Sequence, residues 1–394
     1  MTESPRPLRI LAHESAVPMI AREISRRRFL GFAAAAGGTA LLAACTPGGG
    51  TNPGAKPTGG ALESNLSIYT WGEYDAPEVL EAFTDQLGPK ITMDAYASNE
   101  ELVAKLSAAK GTSGFDIVVP TGVFIPQMIE NGLLAKFNKD LLPNLSNVEP
   151  AYLGRAWDPT NDYSVCKAWG TTGYVYDKTV ITRELTTWND FFDAAQNEAS
   201  GKTAMSDDPA GIIGAYFWAN DMDWNTQDPD ELEACRAFLI EKIAPHIAAF
   251  DSYPGTNIIP QGTQVLAQSW NGDARLGIME SDDPDRWQWV LPGPQTELWM
   301  DNWAIAEGAP HPEAAHAFIN FSLAPENQIP NLDYIGYNVG TKGLRAEAEA
   351  AGMEMLDLIF FTDAQLATMH EQELNDSQTT RVAIWNEMKA AAGA

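Results

Sequence analysis

The chain has 394 residues, 53 Asp+Glu against 25 Lys+Arg, a formal net charge of −28 and 45% hydrophobic residues. That length and apolar share suit one large or two ordinary globular domains and exclude wholesale disorder. So acidic a surface repels phosphate backbones and anionic headgroups, which excludes nucleic acid and polybasic membrane binding as leading roles.

The charge is uneven along the chain. Residues 1–44 carry six Arg and three Glu, which leaves −31 on residues 45–394. The basic stretch ends in Ser25-Arg26-Arg27-Arg28-Phe29-Leu30, and an uncharged apolar or small run follows to Ala44. Such a run is shorter than the ~20 apolar residues of a transmembrane helix and has the build of a signal peptide. Arg26 and Arg27 resemble a twin-arginine export signal, and Leu42-Ala43-Ala44-Cys45 resembles a bacterial lipobox, so Cys45 is expected to be lipidated after cleavage. Residues 46–61 are almost wholly Gly, Pro, Thr and small side chains, a composition that predicts a tether. The folded body is expected to begin near Leu62. Cys166 and Cys235 are too few for a disulfide framework and are expected to be free and buried.

The body then alternates strand and helix patterns. Residues 66–71 read as a strand, and Asp75-Ala76-Pro77 as a helix start with an Asp cap and Pro in the first turn. Val79, Leu80, Phe83 and Leu87 give that helix one apolar face. Residues 91–97 read as a strand, Ser98 and Glu101 as a capping box for a helix through 110, and 115–120 as a nearly continuous apolar strand. A second series follows: a strand over 168–176, a helix capped at Thr187 and running to about 197, a strand over 202–206, and helices over 209–219 and 229–243. Strands over 287–291 and 298–306 and a helix over 312–323 lead into a mostly helical end. The βαβ grammar predicts parallel α/β sheets.

Catalytic signatures are missing. Beyond the leader there are four His, and no His-Glu-x-x-His, Cys-x-x-Cys, Gly-x-Ser-x-Gly, Walker or Gly-x-Gly-x-x-Gly pattern occurs. His311 and His316 could suit a metal by spacing, but capping and surface roles weigh more. Asp207-Asp208 and Asp282-Asp283 read as loop acids that cap helices rather than as a hydrolytic pair. No enzyme activity, metal or cofactor is therefore expected. The aromatic content stands out instead, because several of the twelve Trp fall at strand ends or turns beside acids: Trp71 to Asp75, Trp270 to Asp273 and Trp299 to Asp301. Rings beside carboxylates suit a cation with an aliphatic body. For Trp157, Trp188, Trp218 and Trp289 simple core packing is preferred.

Taken in order, Tyr69-Thr70-Trp71-Gly72-Glu73-Tyr74, Ser98-Asn99-Glu100, Phe115 to Pro120, Asn161 to Ser164, Trp169-Gly170, Ser206-Asp207-Asp208, Trp270-Asn271-Gly272, Trp299-Met300-Asp301 and Ile335-Gly336-Tyr337 resemble the spermidine/putrescine-binding proteins of bacterial ABC importers. The resemblance covers about 66–337. It implies a two-lobed periplasmic binding protein fold of type II, each lobe a mainly parallel sheet flanked by helices, with the ligand in the cleft between lobes. Residues 65–172 with 300–345 would form the first lobe and 173–299 with 346–394 the second, after a leader (1–44) and a lipidated tether (45–64). It implies that Trp71 and Tyr74 flank the ligand, Thr121 gives a hydroxyl, Asp208 meets an amine, Trp270 stacks on methylenes, Trp299 flanks them, Asp301 is the main carboxylate and Tyr337 closes the box. Gly72, Val123 and Gly211 depart from the family pattern, which removes a ring and a carboxylate. The expected partners are a polyamine or similar organic cation, an ABC permease and, through Cys45, the outer face of the cell membrane, with the protein a monomer. Two rivals stay open: an exported glycan hydrolase, and an amino-acid binder gripping a carboxylate with Arg275 or Arg286.

Overall fold

A computed structural model describes residues 57–393 apart from Ala97, Thr112 and Ser252. Arg26, Arg27 and Cys45 lie outside the described residues. The first strands are β1 (Asn65–Trp71), β2 (Lys90–Tyr96), β3 (Ile117–Val118) and β4 (Leu134–Ala135), with helices α1 (Pro77–Leu87), α2 (Asn99–Ala109) and α3 (Ile125–Glu130) between them. β5 (Ser164–Asp177), β6 (Thr203–Met205), β7 (Ile247–Phe250), β8 (Leu266–Trp270) and β9 (Trp287–Val290) follow. They alternate with α4 (Trp188–Gln196), α5 (Pro209–Ala219), α6 (Pro229–Phe238), α7 (Pro254–Gln261) and α8 (Asn271–Glu280). The chain ends with β10 (Thr296–Ala306), α9 (Pro312–Ser322), α10 (Pro325–Ile335), α11 (Leu344–Ala350), β11 (Met369–His370) and α12 (Gln378–Ala392).

Strand order β2-β1-β3-β10-β5-β8-β6-β7 explains the two-lobed form. At one end β2, β1 and β3 run parallel, and at the other β7, β6 and β8 do the same. Between them the long strands β10 and β5 pair antiparallel with each other. β10 is also antiparallel to β3, and β5 to β8, so the crossing pair belongs to both lobes. The cores divide accordingly. Ile68, Phe83, Ile117, Trp303 and Phe318 share one cluster, and Tyr174, Trp188, Phe191, Trp218 and Ile384 another.

Local details refine the sequence reading. Ser98 accepts from the Glu101 amide at 3.2 Å, and Thr187 forms a full capping box with Asp190. Asp75 does not cap α1; the N-cap is Ala76, without a side-chain bond. The Asp75 carboxylate is instead taken by Lys167 Nζ at 2.9 Å, both side chains being buried, and a buried charge must be paired before it can serve a helix end. The expected strand over 115–120 pairs only at Ile117–Val118, and helix 229–243 turns into a π-helical segment, Leu239–Ile243, after α6. Ordered contacts begin before residue 62: the amides of Thr58, Gly59 and Gly60 donate to the Glu313 carboxylate at 2.6, 3.1 and 3.3 Å. Residues 353–361 straddle the division, with Met353, Leu356 and Phe360 on the first core and Met355, Leu358 and Phe361 on a second-lobe cluster. Cys166 and Cys235 are free and buried.

His311 and His316 have structural duties. His311 meets the buried Asp116 through its backbone N–H at 2.6 Å and its ring at 2.9 Å. His316 Nε2 accepts from the Asn138 amide at 2.9 Å. Trp188 and Trp218 are fully buried. Trp157 is half-buried and lies over Gly122, where a Cβ would come 2.5 Å from the indole.

Candidate ligand cleft

Six of the eight expected residues come from strand ends or the crossing strand; Tyr74 lies in the loop between β1 and α1, and Tyr337 follows α10. Trp71 closes β1, Thr121 follows β3, Asp208 follows β6, Trp270 closes β8, and Trp299 and Asp301 lie in β10. C-terminal ends of parallel strands are where open α/β sheets leave a crevice, since the connections there diverge to opposite faces.

Asp301 is the centre of the arrangement. It is 6% exposed, accepts from Thr121 Oγ1 at 2.6 Å and from the Tyr74 hydroxyl at 3.0 Å. Asn99 holds Thr121 in turn, its Nδ2 donating to Thr121 Oγ1 at 2.9 Å and its Oδ1 accepting from the Thr121 amide at 3.0 Å. Among the described residues no Lys, Arg or His forms an ion pair with Asp301; the nearby Lys167 is held at 2.6 Å by the Tyr74 carbonyl and by Asp75. Burial therefore pushes the Asp301 carboxyl up to about 6, against the two hydroxyl donors and Lys167, which pull it down.

Four rings extend from this carboxylate. Tyr74 meets Tyr337 at 6.4 Å between centroids, Tyr337 meets Trp299 edge-on at 4.9 Å, and Trp299 meets Trp270 at 6.5 Å. Glycines make the contacts possible. A Cβ on Gly170 would lie 2.5 Å from the Trp299 ring, and one on Gly272 would lie 2.5 Å from Tyr337. Trp71 stands outside this chain and packs on Tyr96 at 4.7 Å. Its indole N–H, like that of Trp299, is buried without a hydrogen-bond partner.

Asp208 sits on the second lobe as the N-cap of α5, accepting from the Gly211 amide at 2.8 Å. Burial, reinforced by the negative charges of Glu100 and Asp207, lifts its carboxyl to about 6. Gly211, one of the departures, is tightly enclosed: a Cβ would come 2.9 Å from Ser206 Oγ. Gly72 faces open space and Val123 is half-buried, so neither position is replaced by another ring. Asp273, the acid of the Trp270 run and in the first turn of α8, is raised to about 7 by burial. Glu297, two residues before Trp299, escaped the sequence reading and is raised to about 8 by burial and by Asp208. The period-2 alternation Glu297, Trp299, Asp301 was the available signal. Of the two arginines of the amino-acid alternative, Arg286 pairs with Asp177 at 2.6 Å, whereas the fully buried Arg275 donates its Nε–H to the Glu354 carbonyl at 3.0 Å and lies 3.6 Å from Asp333, its Nη1 and Nη2 having no hydrogen bond among the described residues.

Comparison with known proteins agrees with this architecture. A family model described as bacterial extracellular solute-binding protein matches residues 78–363. The spermidine/putrescine-binding periplasmic protein of Escherichia coli is 34% identical over 275 residues, covering 70% of this chain and 77% of that protein. The crystal structure of a spermidine/putrescine ABC transporter substrate-binding protein from Streptococcus pneumoniae superposes with a TM-score of 0.72 at 25% identity, covering 84% of this chain and all of that one. A lipoprotein of Treponema pallidum superposes with a TM-score of 0.73 at 26% identity, over 82% of this chain and 98% of that one. The chain belongs to the bacterial extracellular solute-binding proteins, among the spermidine/putrescine-binding members that serve ABC importers.

Proposed function

We propose that this protein captures polyamines or similar organic cations outside the cell membrane and delivers them to an ABC permease. The single observation that carries the reading is Asp301: a buried carboxylate fixed by two hydroxyls, beside a run of aromatic rings, with no cationic side chain paired to it among the described residues. An ammonium ligand supplies the missing counter-charge, and the rings cover its methylenes. Trp71, Tyr74, Thr121, Asp208, Trp270, Trp299, Asp301 and Tyr337 form the proposed site. The lobes close over the ligand, so affinity includes the open-to-closed equilibrium. The leader with Arg26 and Arg27 directs export, and lipidated Cys45 holds the mature monomer on the outer membrane face. Among the described residues no helix is long and apolar enough to cross a membrane. Pairing of Arg286 with Asp177 speaks against its gripping a ligand carboxylate.

Calorimetry with putrescine, spermidine and GABA on the purified protein tests this. Tight binding of at least one amine and weak binding of GABA are expected; absence of binding by both polyamines would sink the reading.

A further inference from the structure

Glu297, Trp299 and Asp301 alternate along β10 and so project from one face of the strand. Glu297 is 7% exposed, and its Oε2 accepts from Thr172 Oγ1 at 2.7 Å on the neighbouring strand. Among the described residues its Oε1 has no hydrogen bond and no cationic side chain pairs with it. The backbone there is held firmly, because the Glu297 carbonyl accepts from Thr171 Oγ1 at 2.6 Å. α5 packs against β10 and brings Asp208 near Glu297. A carboxylate on a residue 7% exposed, with one oxygen unbonded among the described residues and Asp208 near it, has room for a cationic partner.

We propose that Glu297 is a further ligand-contacting residue that sets ligand length, forming with Asp301 the two poles of a slot for a linear triamine. This rests on the polyamine reading above. Four residues of strand separate the poles by about 13 Å. An extended chain advances ~1.2 Å per bond, so the terminal nitrogens of a four-carbon diamine lie ~6 Å apart and those of a triamine such as spermidine ~11 Å apart. A diamine reaches one pole; a triamine reaches both, with Trp299 against its middle. Burial first, then Asp208 and Asp301, raise the Glu297 carboxyl to about 8, so it is mostly protonated in the empty site near neutral pH, and a bound ammonium favours its ionised form. Gly211 leaves the first turn of α5 without an acidic side chain, so Glu297 provides the second-lobe charge that this turn does not.

The test is calorimetry of the wild-type protein, Glu297→Gln and Glu297→Asp with spermidine and with putrescine, alongside thermal unfolding of each. Wild type should favour spermidine. In Glu297→Gln the spermidine affinity should fall at least tenfold more than the putrescine affinity, and Glu297→Asp should restore part of the preference. Equal losses for both amines, or none, would overturn the length assignment while leaving the polyamine reading intact. Failure of wild type to bind either amine would strike the earlier reading itself. Should Glu297→Gln not fold, Glu297→Asp alone decides: a retracted charge must narrow the spermidine preference, and an unaltered preference refutes the proposal.

Discussion

Replacing Asp301 by Asn should separate affinity from stability. The carboxylate is 6% exposed, and its two oxygens accept from Thr121 at 2.6 Å and Tyr74 at 3.0 Å. Removing one partner of such a buried charge pair costs about 2–5 kcal/mol in binding, which is about 30- to 5,000-fold in Kd. With its carboxyl near 6, Asp301 is already mostly ionised at pH 7.5, so little of the loss is offset by proton release. The free protein should respond with the opposite sign. Raising the carboxyl from 3.8 to about 6 means that the empty site carries an uncompensated charge, worth roughly 3 kcal/mol at about 1.4 kcal/mol per unit. Asparagine removes that charge, and the Thr121 and Tyr74 hydroxyls can rotate to accept from its amide. Calorimetry with spermidine at pH 7.5, with thermal unfolding of the ligand-free variant, reads both effects. Unchanged affinity would refute the site. A lower melting temperature together with weaker binding would refute the reasoning, because Asp301 would then be structural.

The raised carboxyls also set the response to pH. Asp301 and Asp208 stand near 6 in the folded protein, above the 3.8 of an exposed Asp. Their stabilising contribution is complete below about pH 4 and is lost as pH rises through 6. The ligand-free protein should therefore lose thermal stability from these groups between pH 4 and 7, and saturating spermidine should reverse the trend. Affinity should weaken by up to about tenfold per unit for each coupled group as pH falls below 6; a flat profile in calorimetry contradicts the proposed charge pairing. Gly170→Ala would set a Cβ 2.5 Å from the Trp299 ring and 2.4 Å from Asn271 Oδ1. Overpacking of this kind costs about 1–3 kcal/mol, and the displaced indole should lower affinity at least tenfold; an unchanged melting temperature and Kd would show that the ring is not held there.

Much of the cleft was legible because strand ends concentrate information locally. Trp71 to Asp75, Trp270 to Asp273 and Trp299 to Asp301 are short runs, each lying where a strand ends or crosses, and each pairs a ring with an acid within five residues. The relations between runs were not legible. Nothing near Asp75 announces that Lys167, on another strand, will take the carboxylate that a helix cap would otherwise use. Glu297 looks like an ordinary strand acid until β5 sets Thr172 opposite it and α5 brings Asp208 close. The sequence likewise shows Gly170 and Gly272 as unremarkable glycines, although each is the floor beneath an aromatic side chain. Hydrophobic periodicity located β1, β2 and β10, but short β3 was overextended, since Val119 and Pro120 remain apolar after the ladder ends.

The register of β10 slips between Asp301 and Asn302, where its pairing with β5 skips from Ala168 to Cys166. A bulge is a ready bending point, and this one lies in a strand shared by both lobes. Its Asp301 end is tied to the first lobe, since Thr121 and Asp301 form an antiparallel bridge and the Asn302 amide donates to the Pro120 carbonyl at 3.0 Å. The change of pairing with β5 and the carboxylate's two hydroxyl supports thus fall at one residue.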